Sequence, residues 1–365
     1  MLQGYKVLDL TRVLAGPFCA MTLGDLGAHV IKVERPGGGD ETRGWGPPFD
    51  ENGESAYYLS VNRNKLGIAL DLELPADLDI LRRLIAEADV VLDNFRPGTL
   101  ERRGVDPARW LAQRPGLVWC TLTGFGPLSA RPGYDYVVQA ESGWMSITGE
   151  PDGEPMKAGV ALADVIAGKD AAVAVLGALV SRGRLSATER RLYVSLAHSA
   201  TAALVNVAQN VLVSGHDARR WGNAHPNLVP YQLFHASDRA IVVAVGNDAQ
   251  WQACCRALEL TELGSDPALR TNAGRLARRD DVVRVLQERL SLQSASFWLR
   301  ALDAAGVPCG VVRTVQEALR DVAASPQTGV APAVRGTVRL TPPRLDEHGA
   351  KIRALGWRIF DVLTE

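Results

Sequence analysis

Short apolar runs alternate with helical stretches through the first 125 residues, and this alternation constrains the fold more than any single motif. Val7–Leu10 reads as a strand. Gly16-Pro17 puts proline at a helix start, where its missing N–H is not needed. The helical stretch Phe18–Leu26 is stopped by Gly27, and Val30–Val33 is the next strand. Such a strand–helix–strand unit implies a parallel sheet covered by helices. A second cycle runs through the helix-like Ala76–Ala88, the strand Val90–Leu92 and the loop Asp93–Gly98. A third reaches the strand Leu117–Thr121 and the tight Gly124-Phe125-Gly126.

Farther on, residues 134–148 read as one helix, 164–181 as a buried Ala/Val/Leu-rich helix, and Leu192–Leu196 as a core strand. The turn-rich Gly222–Pro230 marks a shift in composition. Beyond it come the strand pair Tyr231–Phe234 and Ala240–Val245, helices near 248–258, 280–291 and 295–305, and a strand at 310–313. With 365 residues, two domains are expected. The division read here is a large α/β, Rossmann-like domain over 1–224, a smaller α+β domain over 225–320, and a tail over 321–365 that returns to the large domain.

Several classes of function fall away. Lys and Arg number 40 against 41 Asp and Glu, a net charge of −1, which argues against a nucleic-acid partner. The five cysteines form no CxxC pair, and the six histidines show no HExxH spacing, so no metal site is expected. The most apolar run, Ala171–Val180, is about half a membrane span, and no signal peptide precedes Tyr5–Leu10, so a cytoplasmic protein without a membrane partner is expected.

Open parallel sheets bind ligands at the carboxyl ends of their strands. The loops there are Thr11–Ala15, Glu34–Arg43, Asp93–Gly98 and Gly124–Tyr134. No GxGxxG follows the first strand, and no GxxxxGK[ST] occurs, which disfavours a nicotinamide enzyme or a P-loop kinase. Basic residues recur in or near these loops: Arg12, Arg35, Arg43, Lys65, Arg96, Arg102 and Arg103. They read either as solvated charge or as a rim for an anionic ligand. Asp164 is the only acidic residue between Glu154 and Asp170, at the start of an apolar helix. Asp is a favoured N-cap. A helix N-terminus also favours an ionised carboxylate, which can attack an activated acyl carbon. The segment alone leaves both readings open.

An ordered series of motifs extends these readings. It includes Leu8-Asp9-Leu10-Thr11-Arg12-Val13-Leu14-Ala15-Gly16-Pro17, Gly39-Asp40-Glu41-Thr42-Arg43, Asn62-Arg63-Asn64-Lys65, Asp93-Asn94-Phe95-Arg96-Pro97-Gly98, Thr123-Gly124-Phe125-Gly126 and Tyr134-Asp135. In this order the chain resembles the family III CoA-transferases, the formyl-CoA transferase and carnitine CoA-transferase group. The resemblance implies a transferase that moves CoA from an acyl-CoA, with succinyl-CoA as default donor, to a small free carboxylic acid. It implies aspartyl anhydride and aspartyl-CoA thioester intermediates on Asp164, with no permanently bound cofactor, no ATP and no metal. It also implies an interlocked, ring-shaped homodimer.

By the same resemblance, Tyr134 and Asp135 stand with Asp164 as catalytic residues. Val13, Arg35, Lys65, Asn94, Phe95 and Arg102 line the CoA site, where Arg and Lys suit the phosphates. Arg12 and Leu14 face the substrate. Leu14 replaces a glutamine of the formyl-CoA transferases, and Gly222–Tyr231 stands where those enzymes carry a glycine-rich loop, so oxalate and formate are disfavoured. Two alternatives are an α-methylacyl-CoA racemase and a CoA-binding protein without turnover. Racemases of this superfamily carry histidine at the position of Tyr134, and tyrosine is a weak base at neutral pH.

Overall fold

Strands buried on both faces carry near-continuous apolar runs, as parallel strands between two helical layers must. In the computed structural model, which describes residues 1–363, six of them form one parallel sheet. They are β1 (Lys6–Asp9), β2 (His29–Glu34), β3 (Lys65–Ala69), β4 (Val90–Asp93), β5 (Val118–Thr123) and β6 (Arg191–Ser195). Their order is β3-β2-β1-β4-β5-β6, with Leu8 opposite both Ile31 and Val91. The order reverses between β1 and β4, and that switch point opens a crevice at the carboxyl ends of the strands.

One face of the sheet is covered by α1 (Ala15–Asp25) and by the 20-residue α4 (Leu162–Ser181). The other is covered by α2 (Pro75–Glu87) and by the chain's last helical turns, where Trp357 and Phe360 pack with Trp119. β3 carries Lys and Gly and lacked a strand signal in the sequence. Its outer edge is closed by the tail: Asp346 Oδ1 accepts the Ala69 N–H at 2.7 Å and His348 Nδ1 accepts the Gly67 N–H at 3.2 Å. A sheet edge covered in this way cannot pair with another chain.

The helix expected over 134–148 is two pieces. α3 (Asp135–Glu141) ends near Gly143, whose φ of +89° breaks the helix, and a separate turn follows over Trp144–Ile147. After β6 the chain continues into α5 (Val205–Ser214).

The chain divides into two compact units. The first comprises Met1–Met145, Lys157–Asp217 and Val322–Glu365, and the second Ser146–Met156 and Ala218–Asp321. The second therefore takes a short segment, Ser146–Met156, that the sequence reading left in the large domain. It holds an antiparallel sheet, β7 (Tyr231–His235), β8 (Ala240–Ala244) and β9 (Cys309–Val311), around a core that includes Trp251 and Trp298.

Candidate active site

Two loops meet at the switch point. The side chain of Asn94, after β4, accepts the Arg12 N–H at 3.2 Å and donates to the Arg12 carbonyl at 2.8 Å, which fixes the turn after β1. The next residue, Val13, has a φ of +73°, a conformation that β-branched side chains rarely adopt. Such backbone persists only where its surroundings over-determine it. Here Asp40 supplies the restraint: both its carboxylate oxygens accept the Val13 N–H at 3.2 Å. Asp40 also accepts from the Lys32 ammonium at 3.1 Å, and Lys32 donates to the Thr11 carbonyl at 2.9 Å. Burial works against the Lys32 ammonium, yet Asp40 and Asp9 hold its pKa above the ordinary lysine value.

The strained turn delivers the chain to α1, with Leu14 at its N-cap. α1 packs directly on α4. A Cβ at Gly168 would lie 2.6 Å from the Ala15 carbonyl oxygen, so only glycine permits this approach. Ala163, Ala167, Ala171 and Ala172 continue the small-residue face of α4. The close packing brings Asp164, one turn before Gly168, onto the wall shared with Leu14 and Ala15.

Asp164 is not the N-cap that the sequence allowed. Ala161 holds that position, and Asp164 lies within the first turn. The capping acceptor comes from α3 instead: Asp135 Oδ1 accepts the Ala163 N–H at 2.8 Å and the Asp164 N–H at 3.4 Å. Asp164 is only 7% exposed, and among the described residues nothing donates a hydrogen bond to its carboxylate. Burial, and then the charge of Asp135, push its pKa up to about 7. The helix N-terminus pulls the other way, but it is already engaged by Asp135.

Gln139, fully buried, holds this arrangement. Its Nε2 donates to Asp135 Oδ2 at 2.6 Å, and its Oε1 accepts the Ala158 N–H at 2.8 Å, tying α3 to the segment that leads into α4. Tyr57 lies close enough to feel three carboxylates. Burial and the charges of Asp164, Asp135 and Asp40 raise its pKa to about 12. Sequence reasoning missed both residues, and also Asp40 and Glu41. Asp40 and Glu41 lay inside a quoted motif, but their partners are distant in sequence.

Asp164 opens onto a cleft of about 180 Å³ whose lining includes Arg12, Val13, Leu14, Glu41, Phe95 and Tyr134. Tyr134 caps α3 and is half exposed; its hydroxyl donates to Glu41 Oε1 at 3.3 Å. Arg12 Nη1 reaches the other oxygen, Glu41 Oε2, at 3.0 Å. Burial, with the nearby Glu41 carboxylate, raises the Tyr134 pKa, so at neutral pH its hydroxyl keeps its proton even more completely than free tyrosine does.

Next to this cleft, with Arg12 and Phe95 shared between the two, is a more apolar cavity of about 290 Å³. Leu10, Val33, Leu70 and Leu72 line it, with Arg35 and Arg103 at hand.

One expectation for the CoA site, Lys65, is at odds with the geometry. Lys65 is wholly buried, and its ammonium spends its three N–H groups on Asp9 Oδ2 at 2.9 Å, the Pro17 carbonyl at 3.0 Å and Asn62 Oδ1 at 2.9 Å. No donor remains for a phosphate. Arg102 is exposed, with one Nη on Thr99 Oγ1 at 3.2 Å and its other donors open to solvent, and its neighbour Arg103 lines the apolar cavity. Asn94 borders the cleft, but its amide is committed to the Arg12 backbone.

Residues 2–354 match the family described as CoA-transferase family III. Succinyl-CoA:glutarate CoA-transferase of Mus musculus is 43% identical over 321 residues, 87% of this chain and 73% of the relative. Succinate–glutarate CoA-transferase of Agrobacterium fabrum is 39% identical over 380 residues, 97% of this chain and 95% of the relative. Among solved structures, a CaiB/BaiF family protein from Brucella suis superposes with a TM-score of 0.84 at 39% identity, covering 96% of this chain and 98% of the other.

Proposed function

Because this chain belongs to CoA-transferase family III, we propose that it moves CoA from succinyl-CoA to a dicarboxylic acid such as glutarate, with Asp164 as the covalent carrier. The observation that carries this reading is the buried Asp164 carboxylate, free of hydrogen-bond donors and facing the cleft. A carboxylate without donors keeps its lone pairs free for attack, and a pKa of about 7 leaves roughly half of it ionised at neutral pH.

An Asp164 oxygen attacks the thioester carbonyl and expels CoA thiolate, giving a mixed anhydride. The thiolate attacks the aspartyl carbonyl; the bond to the donor acyl oxygen breaks, and succinate leaves. The acceptor carboxylate then attacks the aspartyl-CoA thioester, expelling thiolate again. Finally, the thiolate takes the acceptor acyl group and returns Asp164 as carboxylate. The proton count does not change, and each step exchanges activated acyl groups of similar energy.

Asp135 and Gln139 are positioning residues in this scheme, holding the first turn of α4. Leu14 offers no side-chain donor to a highly charged small acid, which favours glutarate over oxalate. The raised pKa of Tyr134 speaks against the proton shuttling that a racemase needs.

We also propose an interlocked homodimer. None of α5 is buried, and Val205, Leu212 and Val213 are largely exposed, an apolar surface suited to a second chain. The chain also leaves the first unit and returns to it twice, as a threaded ring requires. Incubation of the protein with succinyl-CoA and labelled glutarate should yield labelled glutaryl-CoA. Thioester hydrolysis without label transfer would overturn the reading, as would α-deuterium uptake into a 2-methylacyl-CoA at the rate of transfer.

A further inference from the structure

Within the cleft, one protein carboxylate is gripped in the way a substrate carboxylate would be. Glu41 has one oxygen on the Arg12 guanidinium at 3.0 Å and the other under the Tyr134 hydroxyl at 3.3 Å. A cation on one oxygen and a neutral donor on the other recognise any carboxylate. Arg12 is held at its root, because Asn94 bonds its backbone on both sides, so the guanidinium projects from a fixed point. Glu41 instead stands at the start of a single 3₁₀ turn, Glu41–Gly44, capped by Asp40.

The pair is also easily exchanged. The side chains of Arg12 and Glu41 are 56% and 26% exposed, and ion pairs this open to water are weak. The cleft's other guanidiniums fit less well. Arg131 is bound to both oxygens of Glu141 and stacked on Phe125. Arg96 is exposed and lines both this cleft and the neighbouring pocket with Arg191 and Tyr193, but among the described residues no carboxylate is held on it as Glu41 is on Arg12.

From this geometry we infer that Arg12 and Tyr134 form a subsite for the distal carboxylate of a dicarboxylic acyl group, occupied in the unliganded protein by Glu41. The inference rests on the transferase reading above and adds the residues that choose the acid. The incoming carboxylate takes the place of Glu41, and the acyl end lies toward Asp164 on the same cleft. Both succinyl and glutaryl groups carry such a carboxylate, whereas monocarboxylic acids leave Arg12 with Glu41.

The test compares glutarate with pentanoate, an acid of equal length without the second charge, at saturating succinyl-CoA. Arg12→Met should lower the glutarate-to-pentanoate ratio of kcat/KM by ~10-fold or more, because a site built for a polar group discriminates strongly against its absence. Glu41→Gln should raise that ratio by about threefold, through a lower KM for glutarate, as expected when a weak internal competitor loses its charge. Both residues are at the solvent-facing rim, so neither change threatens the fold. Calorimetric binding of free CoA should shift by less than ~2-fold in Glu41→Gln, whose side chain borders the acid's cleft and not the apolar cavity, because the carboxylate subsite acts on the acid and not on CoA. An unchanged ratio in both variants would overturn the inference, and so would a gain in CoA affinity in Glu41→Gln that accounts for its change in the ratio. Failure of the transferase reading would look different: the unmodified protein would pass CoA to neither acid.

Discussion

Asp164→Asn should abolish CoA transfer and yet leave the folded protein more stable as pH rises. In the folded chain the Asp164 pKa is about 7, raised by burial and by Asp135, against an ordinary value of 3.8. Between those values the folded state binds a proton that the unfolded chain has released. Stability therefore falls as pH rises from about 4 to about 7 and is level above that range. Each pH unit in the window removes ~1.4 kcal/mol, so the passage from pH 5 to pH 7 costs roughly 3 kcal/mol. Asparagine has no charge to bury and escapes this slope.

The assay is the thermal midpoint of both proteins from pH 5 to pH 8. The gap in favour of Asp164→Asn should widen by roughly 5–10 °C across that range, at about 2–4 °C per kcal/mol for a unit of this size. It should stop widening above pH 7. A gap that does not change with pH would refute the burial argument for Asp164, whatever the variant does to turnover.

Two further outcomes follow from the same contacts. Lys65→Met should destabilise the protein by about 3–5 kcal/mol, the cost of stranding a buried charge partner, here Asp9; a denaturant titration reads this, and a higher KM for CoA at unchanged stability would restore Lys65 to the CoA site. The pH profile of kcat/KM should rise to a plateau through an apparent pKa near 7, and Asp135→Asn should move that inflection to lower pH by removing the neighbouring charge; an inflection that does not move would separate Asp135 from the ionisation of Asp164.

Much of this architecture was legible because local signals and tertiary roles coincide. Val7–Leu10, Val30–Val33 and Val90–Leu92 are apolar runs bounded by turn residues, and they are strands in the sheet core. β3 was hidden because Lys65 and Gly67 are poor strand residues in isolation. Lys65 is satisfied by Asp9, 56 residues earlier, and Gly67 leaves room for Pro343, which packs where a side chain would stand. For the same reason Lys65 looked like a surface cation, because a sequence does not show which lysines find buried partners.

Asp164 stood out as a lone carboxylate at the start of an apolar helix. What makes it unusual, the capping of that helix by Asp135 from another element, required α3 and α4 to be seen side by side. Glu41 went unassigned because its partners Arg12 and Tyr134 come from opposite sides of the crevice, 29 residues before it and 93 after.

The central claim is that Asp164 becomes acylated during turnover. Incubation with succinyl-CoA followed by hydroxylamine, then proteolysis and mass spectrometry of the fragment containing Asp164, tests it most directly. A hydroxamate should appear at Asp164 only when the thioester is present, and it should be lost when glutarate is added to drain the intermediate. An Asp164 left unmodified by succinyl-CoA alone, in protein that transfers CoA once glutarate is supplied, or a hydroxamate on another carboxylate, would contradict it.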